Sequence, residues 1–130
     1  MIKSAEEFHR LRTSDDPEEY GRAAREAADE EVWREVIDRF PDMRFWVAHN
    51  KTVPLSILRT LAKDEDDRVR IMVAARRKLD RELFFTLAAD ADASIRHAVA
   101  CNDKCPSEVL RLLSHDSERF VAEEAADRLA

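Results

Sequence analysis

The chain is predicted to be all-α and to fold as a short α-solenoid, and three observations carry that prediction. First, Met43-Arg44-Phe45-Trp46-Val47-Ala48, Val69-Arg70-Ile71-Met72-Val73-Ala74 and Ile95-Arg96-His97-Ala98-Val99-Ala100 recur at a fixed step of 26 residues with an aliphatic-Arg-x-x-Val-Ala core. Each is followed at constant offsets by a turn position (Pro54, Asp80, Pro106), an apolar anchor (Leu58, Phe84, Leu110), a Leu (Leu61, Leu87, Leu113) and an Asp (Asp64, Asp90, Asp116). A repeat of this length is one supersecondary unit that cannot bury its apolar face alone and must stack on neighbours. Second, Ala, Leu, Arg and Glu dominate, and these favour helix. Third, one Gly and four Pro supply few of the turns that a sandwich or barrel needs. At this step, 130 residues hold about five helical-hairpin repeats, caps included, as a single solenoid domain.

The elements follow in order. Residues 1–38 are a degenerate version of the plan, as expected of a terminal repeat with one face in water. Within them residues 4–12 form a small helix, and Ser14-Asp15-Asp16-Pro17 breaks it. Tyr20-Gly21-Arg22-Ala23-Ala24 belongs to a second helix and Val32-Trp33-Arg34-Glu35-Val36-Ile37-Asp38 to a third, with Val36 one place off the Leu column. Residues 39–116 carry three clear repeats, each in two helical pieces. The first piece opens at the turn residue, as in Pro106-Ser107-Glu108-Val109-Leu110-Arg111-Leu112-Leu113, where a proline's missing amide hydrogen costs little. The second runs over about residues 94–100, directing Ile95 and Val99 to the core at i and i+4. Asn50 and Asn102 suit a left-handed C-terminal cap, and the middle repeat has Arg76 instead. Residues 117–130 form a polar capping helix with Val121 and Ala125 inward.

Charge and targeting narrow the functional classes. The balance of 22 basic and 28 acidic residues gives −6, which disfavours a protein built to wrap nucleic acid but leaves room for a local basic patch. No apolar run at the amino end matches a signal peptide and none elsewhere approaches a membrane span, so no membrane association and a cytoplasmic location are expected. Two cysteines make no disulfide framework and are expected reduced. Oligomeric state is not encoded in any pattern here.

Three features carry candidate function. Asp38, Asp64 and Asp90 each precede an Arg (Arg44, Arg70, Arg96) by six residues. Either the Asp caps the second helix or pairs with the Arg in a ladder along the stack, or the Arg row faces a ligand. The columns Phe45/Ile71/His97/Glu123 and Trp46/Met72/Ala98/Glu124 grade from aromatic to acidic. Phe45 and Trp46 are either a partner-binding anchor, or Trp46 packs beneath the first unit beside Trp33. Arg76-Arg77-Lys78, with Arg81 and near Arg68 and Arg70, is the dense basic cluster: a solvated loop, a patch for an acidic partner, or a nucleic-acid contact.

Catalytic chemistry is thin. His97, Cys101 and Cys105 stand at i, i+4 and i+8, ligand-like spacing on a continuous helix. Pro106 argues that the helix ends before Cys105, and packing is the favoured reading of both thiols. His9, His49 and His115 lack a partner at motif spacing, and a chain with one Gly has no phosphate loop. No catalytic residue, metal site or cofactor is assigned.

The pattern Val-Arg-x-x-Val-Ala-x-Asn-x-x-x-Pro-x-x-x-Leu-x-x-Leu-x-x-Asp resembles the leucine-rich repeat variant of bacterial proteins, a HEAT-like helical repeat. The copies beginning at Met43 and Ile95 fit nearly throughout, and the middle copy departs at Arg76 and Asp80. The resemblance implies a right-handed superhelix alternating α-helices with shorter, sometimes three-ten, helices. It implies no reaction. The iron–sulfur segment found ahead of such repeats in the founding type has no counterpart among these cysteines.

The expected function is therefore a non-catalytic protein-interaction or scaffold module whose partner is a protein. Its candidate binding residues are Phe45, Trp46, Arg70, Met72, Arg76, Arg77 and Lys78. The alternative is a nucleic-acid-binding or DNA-repair protein similar to HEAT-like alkylpurine DNA glycosylases, with Arg70, Arg76, Arg77 and Lys78 as its basic patch. A cysteine or metal enzyme is the third class.

Overall fold

All 130 residues are described in the structure, a computed structural model, and all its extended regular structure is helical, with one isolated bridge between Ile2 and Ala28. The residues cluster into two compact units, Met1–Leu61 and Ala62–Ala130.

The first unit begins with α1 (Ala5–Thr13) and α2 (Pro17–Arg25), separated where the sequence places a break. Ser4 accepts from the Glu7 amide at 3.0 Å and Asp16 from the Glu18 amide at 2.9 Å, so both helices start on side-chain caps. Then come α3 (Glu30–Arg39), a three-ten turn at Pro41–Met43, α4 (Arg44–His49) and α5 (Leu55–Leu61). Helix α1 packs on α2 and α3, and α3 on α4 and α5. The core is centred on Trp33, whose ring meets the edge of Phe8 at 5.2 Å with both side chains fully buried. Val36 and Ile37 are also buried, so the one-place departure from the Leu column does not cost the third helix its apolar face.

The second unit holds α6 (Asp67–Ala74), α7 (Arg81–Ala88), α8 (Ala93–Cys101), α9 (Ser107–Leu113) and α10 (Arg119–Leu129). Helix α8 packs on α6 and α10, α7 packs on α9, and α8 also packs on α7 and α9, so second-type helices neighbour each other and first-type helices do likewise. Val73, Val99, Ala74 and Ala100 are fully buried, as are Val47 and Ala48 within the first unit. The alternation follows from the sequence: a helix of seven to nine residues has one apolar stripe, and a β-branched Val followed by Ala lets a neighbour approach closely.

Two local expectations are corrected. The asparagine caps are not left-handed: no residue in the chain has positive φ, and Asn50 and Asn102 sit in extended backbone at φ −62° and −70°. Each side chain instead reaches back about 26 residues to the end of an earlier helix, Asn102 to that of α6 and Asn50 to that of α2. Asn102 Nδ2 donates to the Ala74 and Arg76 carbonyls at 2.8 Å each, and its Oδ1 accepts from the Lys104 amide at 2.9 Å. Asn50 makes the same bracket to Ala23 and Glu26 at 2.8 and 3.0 Å, and to Thr52. Carbonyls orphaned at a helix terminus are thereby satisfied by a buried amide. The second correction concerns capping. Asp66 and Asp92, not Asp64 and Asp90, cap α6 and α8 by accepting from Arg68 and Ser94 amides at 2.9 and 2.8 Å.

Candidate functional site

The aspartate column has a different task, and it decides the fate of one predicted binding residue. Asp64, Asp90 and Asp116 each accept from the amide two residues on, of Asp66, Asp92 and Glu118, at 2.9 Å, which fixes the turn before the second-type helix. The Asp90 carboxylate also accepts from Arg70 Nε at 2.9 Å, and Asp116 from Arg96 Nε and Nη2 at 2.8 and 3.1 Å. Each Arg donates in addition to the carbonyl of the aspartate six residues before it, Arg70 to Asp64 at 2.7 Å and Arg96 to Asp90 at 2.8 Å. With side chains only 8 to 18% exposed, these pairs form the ladder reading rather than a ligand-facing row. Arg44 sits slightly differently, donating to the Ile37 carbonyl at 2.9 Å.

Of the predicted cluster on the second unit, Arg70 is thus committed to internal bonds. Arg76 is half-buried, and that burial pulls its guanidinium pKa below the ordinary range. Arg77 and Lys78 are exposed and Met72 is half-buried. Arg77 borders a shallow depression of about 320 Å³ with Cys101, Asn102 and Asp103.

A better-formed hollow lies within the first unit. Trp46 and His49 of α4, Tyr20, Gly21, Ala23 and Ala24 of α2, and Arg12, Ser14 and Asp15 at the end of α1 enclose about 580 Å³. The Asn50 bracket and a bond from the Lys51 amide to the Ala24 carbonyl at 3.0 Å pin the end of α4 to α2, which sets Trp46 at the wall. The Arg12 guanidinium lies 3.4 Å from the Trp46 ring centre and 5.9 Å from that of Tyr20. Phe45 and His49 meet the same indole edge-on at 4.9 and 5.6 Å. The two tryptophans therefore part ways, Trp33 with Phe8 in the core and Trp46 with Arg12 at the hollow. Arg12 Nε is buried without a hydrogen-bond partner, its charge facing aromatic electrons instead.

Sequence reasoning found Phe45 and Trp46 but missed Arg12, Tyr20 and Gly21, because these lie where the repeat fades. The available signal was an aromatic and a cation on consecutive short helices around an Asp-Asp-Pro break. It also missed Glu124 as a companion of His97 and Cys101. Cys101 Sγ stands 3.7 Å from both His97 ring nitrogens, and His97 Nε2 is 3.7 Å from Glu124 Oε1. Cys105 lies beyond the end of α8 in the loop, as Pro106 suggests. Burial pushes the Cys101 thiol up, helped by the Glu124 charge, and burial raises Cys105 to about 11. That is opposite to the depressed pKa of an activated nucleophile. No helix is long and apolar enough to cross a membrane.

Comparison with protein families, with curated proteins and with solved structures returns no match for this chain.

Proposed function

We propose that the protein is a non-catalytic, cytoplasmic interaction module: a short right-handed α-solenoid of 26-residue helical hairpins, like the leucine-rich repeat variant and HEAT-like repeats, that docks a protein partner. The repeat reading is supported by the Arg70–Asp90 and Arg96–Asp116 pairs, which recur at the same 26-residue step. The interaction reading rests on the hollow at Trp46. Its volume of about 580 Å³ falls in the range of sites that take one large side chain or small ligand. An indole, a phenol and an arginine, the residue types that dominate binding hot spots, converge on it. Its chemistry suits an aromatic or branched aliphatic side chain next to a carboxylate, the apolar part against Trp46 and the charge toward Arg12. Nucleic acid is the weaker reading: Arg70 is bound to Asp90 and Arg76 is half-buried, leaving Arg77 and Lys78 as the exposed cations of the four.

The test immobilises the full chain and compares proteins retained from native-host extract, identified by mass spectrometry, with those retained by Trp46→Ala and Tyr20→Ala chains of unchanged circular dichroism. A partner bound by the parent and weakened about thirty-fold or more by both substitutions supports the reading, about 2 kcal/mol being the least expected of a hot spot. Retention of every bound protein by both variants would overturn it. So would tight duplex binding that falls steeply with salt.

A further inference from the structure

His97 and Cys101 lie one turn apart on α8, so they leave the helix from the same face. Glu124 of α10 approaches that face, and the Cys101 sulfur, a His97 nitrogen and a Glu124 oxygen all fall within 4.8 Å of one another. We infer that these three side chains bind one divalent cation of the zinc class, which tethers the terminal helix α10 to α8.

The geometry suits such an ion. Zinc bonds of about 2.3 Å to sulfur and about 2.0 to 2.1 Å to nitrogen or oxygen, at tetrahedral angles, put ligand atoms roughly 3.3 to 3.6 Å apart. Cys101 Sγ and Glu124 Oε1 each stand 3.7 Å from His97 Nε2 and the three ligand atoms all lie within 4.8 Å of one another, so the site closes when the His97 ring turns its Nε2 lone pair between the sulfur and the carboxylate and these draw together. The donor set is equally telling. One sulfur, one imidazole nitrogen and one carboxylate oxygen suit a borderline transition metal, whereas calcium and magnesium take oxygen shells.

Outer groups hold the ligands in place. Arg128 Nε donates to the other Glu124 oxygen, Oε2, at 3.2 Å, which leaves Oε1 turned to His97. The same guanidinium donates to the Cys101 carbonyl at 2.9 Å and to Asp103 at 3.0 Å, so its charge is countered before it reaches the ion. Phe120 flanks the His97 ring at 5.3 Å. Supports of this kind are what fix ligand orientation in metal sites. On binding, the Cys101 S–H bond breaks, its proton passes to solvent and sulfur donates its pair to the metal; no electron is transferred. Three protein ligands leave a fourth position for water.

Cobalt(II) titration of the reduced, metal-free full chain tests the inference, because thiolate ligation gives a charge-transfer absorption and tetrahedral cobalt gives intense visible bands. One equivalent should produce both, and zinc should displace the cobalt and raise the melting temperature. Cys101→Ser should abolish the charge-transfer band, His97→Ala and Glu124→Gln should each weaken binding about ten-fold or more, and Cys105→Ser should change nothing. Absence of the band in the parent chain, or its survival in Cys101→Ser, overturns the site. Cys101 is only partly buried and near-isosteric with Ser, and circular dichroism of that variant verifies folding.

Discussion

Asp116 illustrates how a single repeated residue is tied to stability. Hydrogen bonds from Arg96 hold its carboxyl below the usual carboxylate range, outweighing the opposite effect of burial. An unfolded aspartate titrates near pH 4. The folded value lies lower, so the pair's contribution is complete above about pH 4 and disappears as pH falls through the folded value. We predict that Asp116→Asn melts lower than the parent at pH 7, and that the gap between the two narrows as pH falls below about 4 and the parent's carboxylate protonates. A constant gap across that fall would show that the Arg96 pair is not what the carboxylate contributes. The Arg–Asp column was legible from sequence as a ladder because both partners repeat; its cross-repeat connection, Arg to the Asp twenty residues on, was not, since six-residue spacing draws attention to the wrong aspartate. The asparagines failed in the same way. Asn102 was visible at a helix end, but its acceptors lie on residues 74 and 76, and no local rule about cap conformation points there.

At the level of a helix, α2 separates binding from stability. Gly21 is inside the helix, where glycine is unfavourable, and it also borders the Trp46 hollow. A Cβ built there meets nothing closer than the Arg25 guanidinium at 3.5 Å, an ordinary contact. Alanine should therefore stabilise the protein by about 0.5 to 1 kcal/mol through reduced chain entropy and better helix propensity. Gly21 itself lines the hollow, so a methyl group that narrows it should lower partner affinity while the melting temperature rises. Denaturant unfolding and a binding titration on the same sample check both signs. If affinity is unchanged, the partner does not enter between α2 and α4. The helices themselves were readable where turn signals and periodicity agree, as at the Asp16-Pro17 break, and the structure moves their expected ends by a residue or two, α1 to Ala5–Thr13 and α8 to Ala93–Cys101. The contents of α1 and α2 were not readable as a site, because the 26-residue sequence echo is degenerate there and only packing brings Arg12 over Trp46.

Across the whole molecule, the apolar columns and the charged surface make separable contributions, and that separation can be measured. Val99 is fully buried in α8, which touches four other helices of its unit, and no cation side chain lies in the Val column to receive a carboxylate. Val99→Asp either buries an unpaired charge or forces the helix out of its place, a loss of about 4 kcal/mol or more. Arg77 is exposed at the loop after α6, where a charge reversal in a chain of net charge −6 should move stability by no more than about 0.5 kcal/mol. If acidic groups on the partner approach that loop, Arg77→Glu slows association and weakens binding most at low salt, where charge interactions are least screened. Thermal melts of the two variants beside salt-dependent association rates of Arg77→Glu check the scheme. A stable Val99→Asp with an unfolded Arg77→Glu would invert the columns, and a salt-independent rate would place the partner away from the basic loop while leaving the Trp46 hollow as the remaining contact.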